Sequence, residues 1–92
     1  MERFYDNDQG YLLWLNQNPN GFVLNANKPP NARYLVAHRA SCFTINGTPS
    51  RGKDWTNKYV KLCGKNLAEL TEWTIEQFGV KPYCCRHCSP ES

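Results

Sequence analysis

The chain has 92 residues, a net charge of +3 from 11 Lys and Arg against 8 Asp and Glu, and five cysteines. That length suits one domain spanning residues 1–92, near the lower limit at which a core holds unaided, so a staple of some kind is expected. No apolar stretch approaches the length needed to cross a membrane, and none follows Met1-Glu2-Arg3-Phe4 as a secretory signal would require; the expectation is a cytoplasmic protein.

In chain order, the first periodic segment runs from Gln9 to Asn18, where Tyr11, Leu12, Trp14 and Leu15 give an apolar helix face and Asp8 is the expected N-cap. Asn18-Pro19-Asn20-Gly21 stops it, because proline disfavours helical geometry in the residue before it and Asn-Gly supports a turn. Phe22-Val23-Leu24-Asn25 and Tyr34-Leu35-Val36-Ala37-His38 read as antiparallel strands joined by the Pro29-Pro30 loop. Cys42-Phe43-Thr44-Ile45 reads as a further short strand, and Asn46 to Thr56 as a long surface loop rich in Gly, Pro, Ser, Thr, Lys and Arg. Lys58 to Cys63 alternates as a strand, with Tyr59, Lys61 and Cys63 on one face and Val60 and Leu62 on the other.

The clearest element is a helix from Leu67 to Phe78. Asn66 followed by Glu69 resembles a capping box and Gly79 is the stop; Leu67, Leu70, Thr74 and Phe78 form one stripe, with Glu69, Glu72 and Glu76 opposite. Together these elements specify an α+β fold: a small antiparallel sheet flanked by an N-terminal and a C-terminal helix, with a zinc-knuckle tail.

That tail, Tyr83-Cys84-Cys85-Arg86-His87-Cys88-Ser89-Pro90, crowds three cysteines and a histidine into five positions. An odd cysteine count fits a metal site with a spare thiol better than a full set of disulfides, and in a reducing setting Cys/His clusters are more often metal sites. Cys85-x-x-Cys88 has knuckle spacing, which supplies two of the four ligands zinc takes; the register Cys84 with His87 is the alternative. Upstream, His38 and Cys42 lie four apart across a bend at a strand end and can converge on the same ion. The expected ligands of Zn2+ are therefore His38, Cys42, Cys85 and Cys88, with Cys63 or Cys84 as candidate replacements.

The basic residues cluster. Arg51, Lys53, Lys58, Lys61 and Lys65 lie within fifteen positions against Asp54 alone, whereas Glu69, Glu72, Glu76 and Glu91 follow. Lysine and arginine supply salt-sensitive attraction to phosphate, and Trp55 and Tyr59 could stack on an unpaired base. Arg39, Arg51, Lys53, Trp55, Asn57, Lys58, Tyr59 and Lys61 are thus the candidate nucleic-acid contacts, set against the plainer reading of a solvated strand face with Trp55 folded back as a lid. No paired carboxylates suit metal-dependent hydrolysis, and Cys42 with His38, or Ser41, makes only a thin case for a nucleophile, so intrinsic catalysis is not expected. A protein-interaction adaptor using exposed aromatics is the other class weighed, with a small cysteine-dependent enzyme behind it.

The combined pattern Tyr11-Leu-x-Trp-Leu, Asn18-Pro-x-Gly-Phe-Val-Leu-Asn, Tyr34-Leu-Val-x-His-Arg-Ala-Ser-Cys42, Tyr59-Val-Lys-Leu-Cys63 and Cys85-x-x-Cys-x-Pro90 resembles a small bacterial Cys/His domain associated with restriction and other DNA-processing proteins. The resemblance implies a DNA-related accessory role, and the functional expectation is a DNA-binding module serving as the recognition domain of a larger restriction or defence nuclease. It marks His38, Cys42, Cys63, Cys85 and Cys88 as the positions to watch.

Overall fold

The computed structural model describes residues 1–46 and 55–92. The chain is an α+β fold in which two helices flank a five-stranded mixed sheet. In chain order the elements are β1 (Glu2–Phe4), α1 (Asp8–Gln17), β2 (Phe22–Asn27), β3 (Leu35–Arg39), β4 (Tyr59–Gly64), α2 (Leu67–Phe78) and β5 (Tyr83–Cys84). Across the sheet the strands lie in the order β1-β4-β2-β3-β5, which puts β2 at the centre.

Three of the four pairings are antiparallel, as the alternating strands predict. The fourth departs from the antiparallel expectation, because β5 pairs with β3 in parallel, Val36 opposite Tyr83 and Ala37 opposite Cys84. The cause is α2. β4 and β3 are both antiparallel to β2, so they run the same way, and a helix leading out of β4 and crossing the sheet delivers the next strand in that direction again. β1 is also an addition, paired antiparallel to β4 with Phe4 opposite Lys61; three residues with one buried apolar side chain carry too little periodicity to be seen in the sequence.

Helix α2 begins and ends where its signals predict. Asn66 Oδ1 accepts the Glu69 amide at 2.9 Å, and Gly79 closes the helix at φ 72°, a left-handed conformation that other residues adopt at a cost. Its buried stripe, with Leu70 and Thr74 at the centre, covers one face of the sheet: Leu24, Ala26, Leu35, Ala37, Val60 and Leu62. Burying a leucine such as Leu70 contributes about 1.5–3 kcal/mol.

The opposite face holds a second cluster in which Phe4, Val23 and Cys63 meet Tyr11 and Leu15 of α1, Ile45, Trp55, Cys42 and Cys85. Alternation along each strand divides the two cores, Val23 going one way and Leu24 the other. Helix α1 is capped by Asn7 rather than Asp8, the Asn7 side chain accepting the Gly10 amide at 3.0 Å. Asp8 instead accepts the Trp55 and Thr56 amides at 3.0 and 2.9 Å and the Thr56 hydroxyl at 2.7 Å. Leu12, expected on the buried face, is exposed together with Leu13. Gly21 is required at the entry to β2, since a Cβ there would meet the Trp14 ring at 2.7 Å and the Gly64 carbonyl oxygen at 3.1 Å.

The strand expected at Cys42–Ile45 is a pair of turns, with Cys42 N–H donating to Arg39 O and Ile45 N–H to Cys42 O. Cys42 and Ile45 are buried three apart while Phe43 between them is 70% exposed, a spacing that a strand cannot produce. Of the loop expected between Asn46 and Thr56, Gly47 to Asp54 lie outside the described residues. Among the described residues, no helix is long and apolar enough to cross a membrane.

Candidate metal centre

Two pairings bring the four sequence-predicted ligands together. Val23 opposite His38 fixes the end of β3 on the face that α1 covers. The parallel ladder continues one residue past β5, Cys85 N–H donating to Ala37 O at 2.9 Å, which sets Cys85 beside His38. Strand alternation then separates the adjacent cysteines, so that Cys84 faces away from the cluster. A tight turn, Ser89 N–H to Cys85 O at 2.9 Å, returns Cys88 to the same point. Cys42 arrives from the turn that follows Ala40, whose amide is held by Gly21 O.

One ligand atom from each of His38, Cys42, Cys85 and Cys88 lies within 4.8 Å of every other. The Cys42 and Cys85 sulfurs are 3.9 Å apart. A disulfide would need about 2.05 Å, whereas two sulfurs each about 2.3 Å from one tetrahedral ion stand about 3.8 Å from each other. The cluster therefore has the dimensions of a four-ligand metal site.

Its electrostatics agree. His38 is buried, its Nδ1 lies 3.3 Å from Thr44 Oγ1, and its Nε2 is buried with no hydrogen-bond partner. A buried polar atom without a partner is costly, and a His38 ring nitrogen lies among the three sulfurs, where a metal ion would be its partner; Thr44 Oγ1 sits beside this group, 3.0 Å from Cys42 Sγ as well as near His38 Nδ1. Burial pushes the His38 pKa down to about 4, with the positive charges of Lys61 and His87 adding to the effect, so the ring is neutral and able to bind metal at neutral pH. Burial works against ionising Cys85, yet the amides of Cys88 and His87 directed at its sulfur, together with the Cys42 and Cys88 thiols, outweigh it and lower its pKa. Cys88 moves the opposite way: burial raises it to about 12, although the Arg39 amide donates to its sulfur at 3.2 Å. In this closely coupled pair the first negative charge settles on Cys85, where the amides are.

The remaining thiols stand apart. Cys63 is buried under α1 in β4 and burial raises its pKa strongly. Burial also raises Cys84, to about 11, assisted by its hydrogen bond with Glu91. His87 is exposed and meets the Phe43 ring edge-on at 5.1 Å.

The described residues among those expected to touch nucleic acid do not share one exposed surface. Arg39 is the tail's clamp: Nε donates to Cys88 O at 2.8 Å, and Nη2 donates to Ser89 O at 3.0 Å and Ser92 O at 2.6 Å. Trp55 is 7% exposed and packs on Tyr11 with ring centroids 6.2 Å apart, as the lid reading would have it. Lys61, expected to face a partner, is 3% exposed and donates to Asn25 Oδ1 at 2.8 Å and Trp55 O at 2.7 Å. Its place opposite Phe4 in β1, a strand the sequence does not announce, accounts for the burial. Asn57, Lys58 and Tyr59 remain exposed, and Arg51 and Lys53 lie outside the described residues. Sequence reasoning missed Thr44; its hydroxyl two positions after Cys42 is the only signal that could have marked it.

Fold and cluster together define a small α+β protein carrying a His/Cys3 site able to hold a metal ion. No family model matches the chain, and neither a curated protein nor a solved structure matches it.

Proposed function

We propose that His38, Cys42, Cys85 and Cys88 hold a structural zinc ion, and that the module so fastened binds nucleic acid, with DNA as the expected form. The observation that carries the metal half is the convergence of a His38 ring nitrogen and three cysteine sulfurs, all within 4.8 Å of one another, in a buried pocket where His38 Nε2 has no hydrogen-bond partner. One imidazole and three thiolates are a donor set that suits zinc, and four protein ligands close the coordination sphere, leaving no position for a reacting water. This argues for a fastening rather than a catalytic centre, and against Cys42 as a nucleophile. Support for the nucleic-acid half comes from charge. The chain carries +3 overall, while Glu69, Glu72 and Glu76 are gathered on α2, so cations dominate elsewhere. The resemblance to restriction-associated domains favours a recognition role beside a nuclease partner.

Two measurements test this reading. Elemental analysis of the purified protein should give one zinc per chain, lost in Cys85→Ser; metal-free protein that folds and melts like the isolated preparation would remove the zinc half. Anisotropy titration with labelled duplex and single-stranded DNA should show affinity that falls steeply as salt rises from about 50 to 200 mM. Absence of binding at the lower salt would remove the other half.

A further inference from the structure

The register of the sheet sorts its α1-side face into cross-strand rows. The row nearest the metal cluster is Glu2, Cys63, Val23 and His38. The next crosses all five strands: Phe4, Lys61, Asn25, Val36 and Tyr83. Beyond it Tyr59 pairs with Asn27, and Tyr34 comes within 5.5 Å of the Tyr59 ring. The metal row is covered, whereas the far end of the face is open. There Tyr83 is 58%, Tyr59 42% and Tyr34 37% exposed, which is unusual for three aromatic rings gathered on one side of a small sheet.

Between these rings lie amides and, at the rim, cations. Lys61 Nζ donates to Asn25 Oδ1, which turns the Asn25 amide nitrogen toward Tyr34 Oη at 3.3 Å. Tyr34, Val36 and Tyr83 share a groove of about 440 Å³ with Arg33 and Lys81, a volume in the range of small-ligand sites. Arg33, Lys81 and Lys58 are exposed, and among the described residues none of the three is ion-paired. Among the described residues, Asp6 is paired with Lys28, Asp8 is engaged by Thr56, Glu2 lies opposite Cys63 in the metal row, Glu91 is hydrogen-bonded to Cys84, and three glutamates sit on α2 across the sheet. Exposed rings flanked by unpaired cations complement a strand whose bases are free to stack and whose phosphates need neutralising. A duplex keeps its bases stacked inside and cannot offer them to a flat sheet.

We propose that this open end of the sheet, with Tyr34, Tyr59 and Tyr83 as stacking platforms and Arg33, Lys58 and Lys81 as phosphate contacts, is the binding site for an unpaired nucleic-acid strand. The assignment rests on the nucleic-acid reading above; it keeps Lys58 and Tyr59 of the Arg51–Lys61 segment and extends the site across the sheet to Tyr34 and to Tyr83 of β5. Tyrosine rings hold two or three successive bases, and the Asn25 and Asn27 amides lie within the same surface to meet base edges.

The test is anisotropy titration of the zinc-loaded protein against labelled oligodeoxyuridylate and oligouridylate of about twelve nucleotides, a length within the usual single-strand site, and against a duplex of equal length. The variants are Tyr34→Ala/Tyr83→Ala, Tyr34→Phe/Tyr83→Phe and Arg51→Glu/Lys53→Glu, each checked for zinc content and circular dichroism. The expected result is single strand over duplex by at least about tenfold, a further loss of about tenfold or more in the alanine pair, and near-native affinity in the phenylalanine pair. A preference between the two sugars names the natural strand and supports the site either way. Binding that survives the alanine pair, or that falls only in Arg51→Glu/Lys53→Glu, overturns this site while leaving nucleic-acid binding standing. No affinity for any of the three probes overturns both.

Discussion

Replacing Lys61 with methionine separates a structural cation from a surface one. The substitution keeps most of the side-chain stem and removes the ammonium, so packing against the Tyr11 and Tyr59 rings, each about 5.9 Å from Nζ, is largely conserved while the charge is lost. Two short charge-assisted bonds go with it, to Asn25 Oδ1 and to the buried Trp55 carbonyl. Each such bond is worth about 1.5–3 kcal/mol, and each acceptor left buried without a donor costs about 1–3 kcal/mol. Relief from burying an ammonium offsets part of this, since desolvating an ion costs several kcal/mol. The net expectation is a loss of about 2–4 kcal/mol, which in a chain of this size lowers the melting temperature by about 8–30 °C. The assay is thermal melting of zinc-loaded Lys61→Met beside wild type, with nucleic-acid titration of both at a temperature where each is folded. A melting temperature within a few degrees of wild type, coupled to a large loss of affinity, would refute the reasoning and return Lys61 to the surface.

Further outcomes follow from the same structure. Stripping metal with a chelator should lower the melting temperature by about 16 °C or more, because an ion present at a thousand times its dissociation constant stabilises the fold by about 4 kcal/mol; an unchanged melt would count against a structural ion. In the metal-free protein His38 has its folded pKa depressed to about 4 from an unfolded value near 6.5. The stability it contributes is thus complete above about pH 6.5 and lost as pH falls toward 4, on the order of 3 kcal/mol in all; denaturant melts across that window of wild type and His38→Gln, which removes the slope, check it. Leu70→Ala, at a fully buried position where α2 meets the sheet, should cost about 2–5 kcal/mol in urea unfolding with the slope unchanged.

The elements that could be read from the sequence are those whose signals are local. Helix α2 is bounded by Asn66 and Gly79, and both ends are decided by residues within one turn of where they act. The His38, Cys42, Cys85 and Cys88 set was readable for a related reason, since the chemistry of zinc restricts its ligands to few residue types and the chain holds only five cysteines and two histidines. What escaped depends on partners distant in sequence. Lys61 alternates correctly with Val60 and Leu62, but periodicity states only which face a residue shares; whether that face is covered is decided by β1 and Trp55. Cys42 to Ile45 misled because a buried pair three apart resembles a short apolar run. Asp8 reads as a cap because its competitor for that role, Asn7, precedes it by one residue, and only the return of Thr56 gives Asp8 its use.

Arg39 stands next to His38 yet grips the tail through carbonyl oxygens rather than through the ion. The last residues are therefore held against β3 by a guanidinium fork, to which a bound metal ion would add a coordination sphere, the only one of the two devices that a chelator could strip. With the fork intact, Cys85 and Cys88 wait close to His38 and Cys42 in the absence of metal, and the entropy of bringing chain segments about fifty residues apart to one point has already been spent in folding. Uptake of the ion then becomes a matter of losing protons and water at a site already assembled. Reloading should be fast at temperatures where the metal-free fold persists, and it should slow markedly when Arg39 is replaced by a residue that cannot reach those carbonyls.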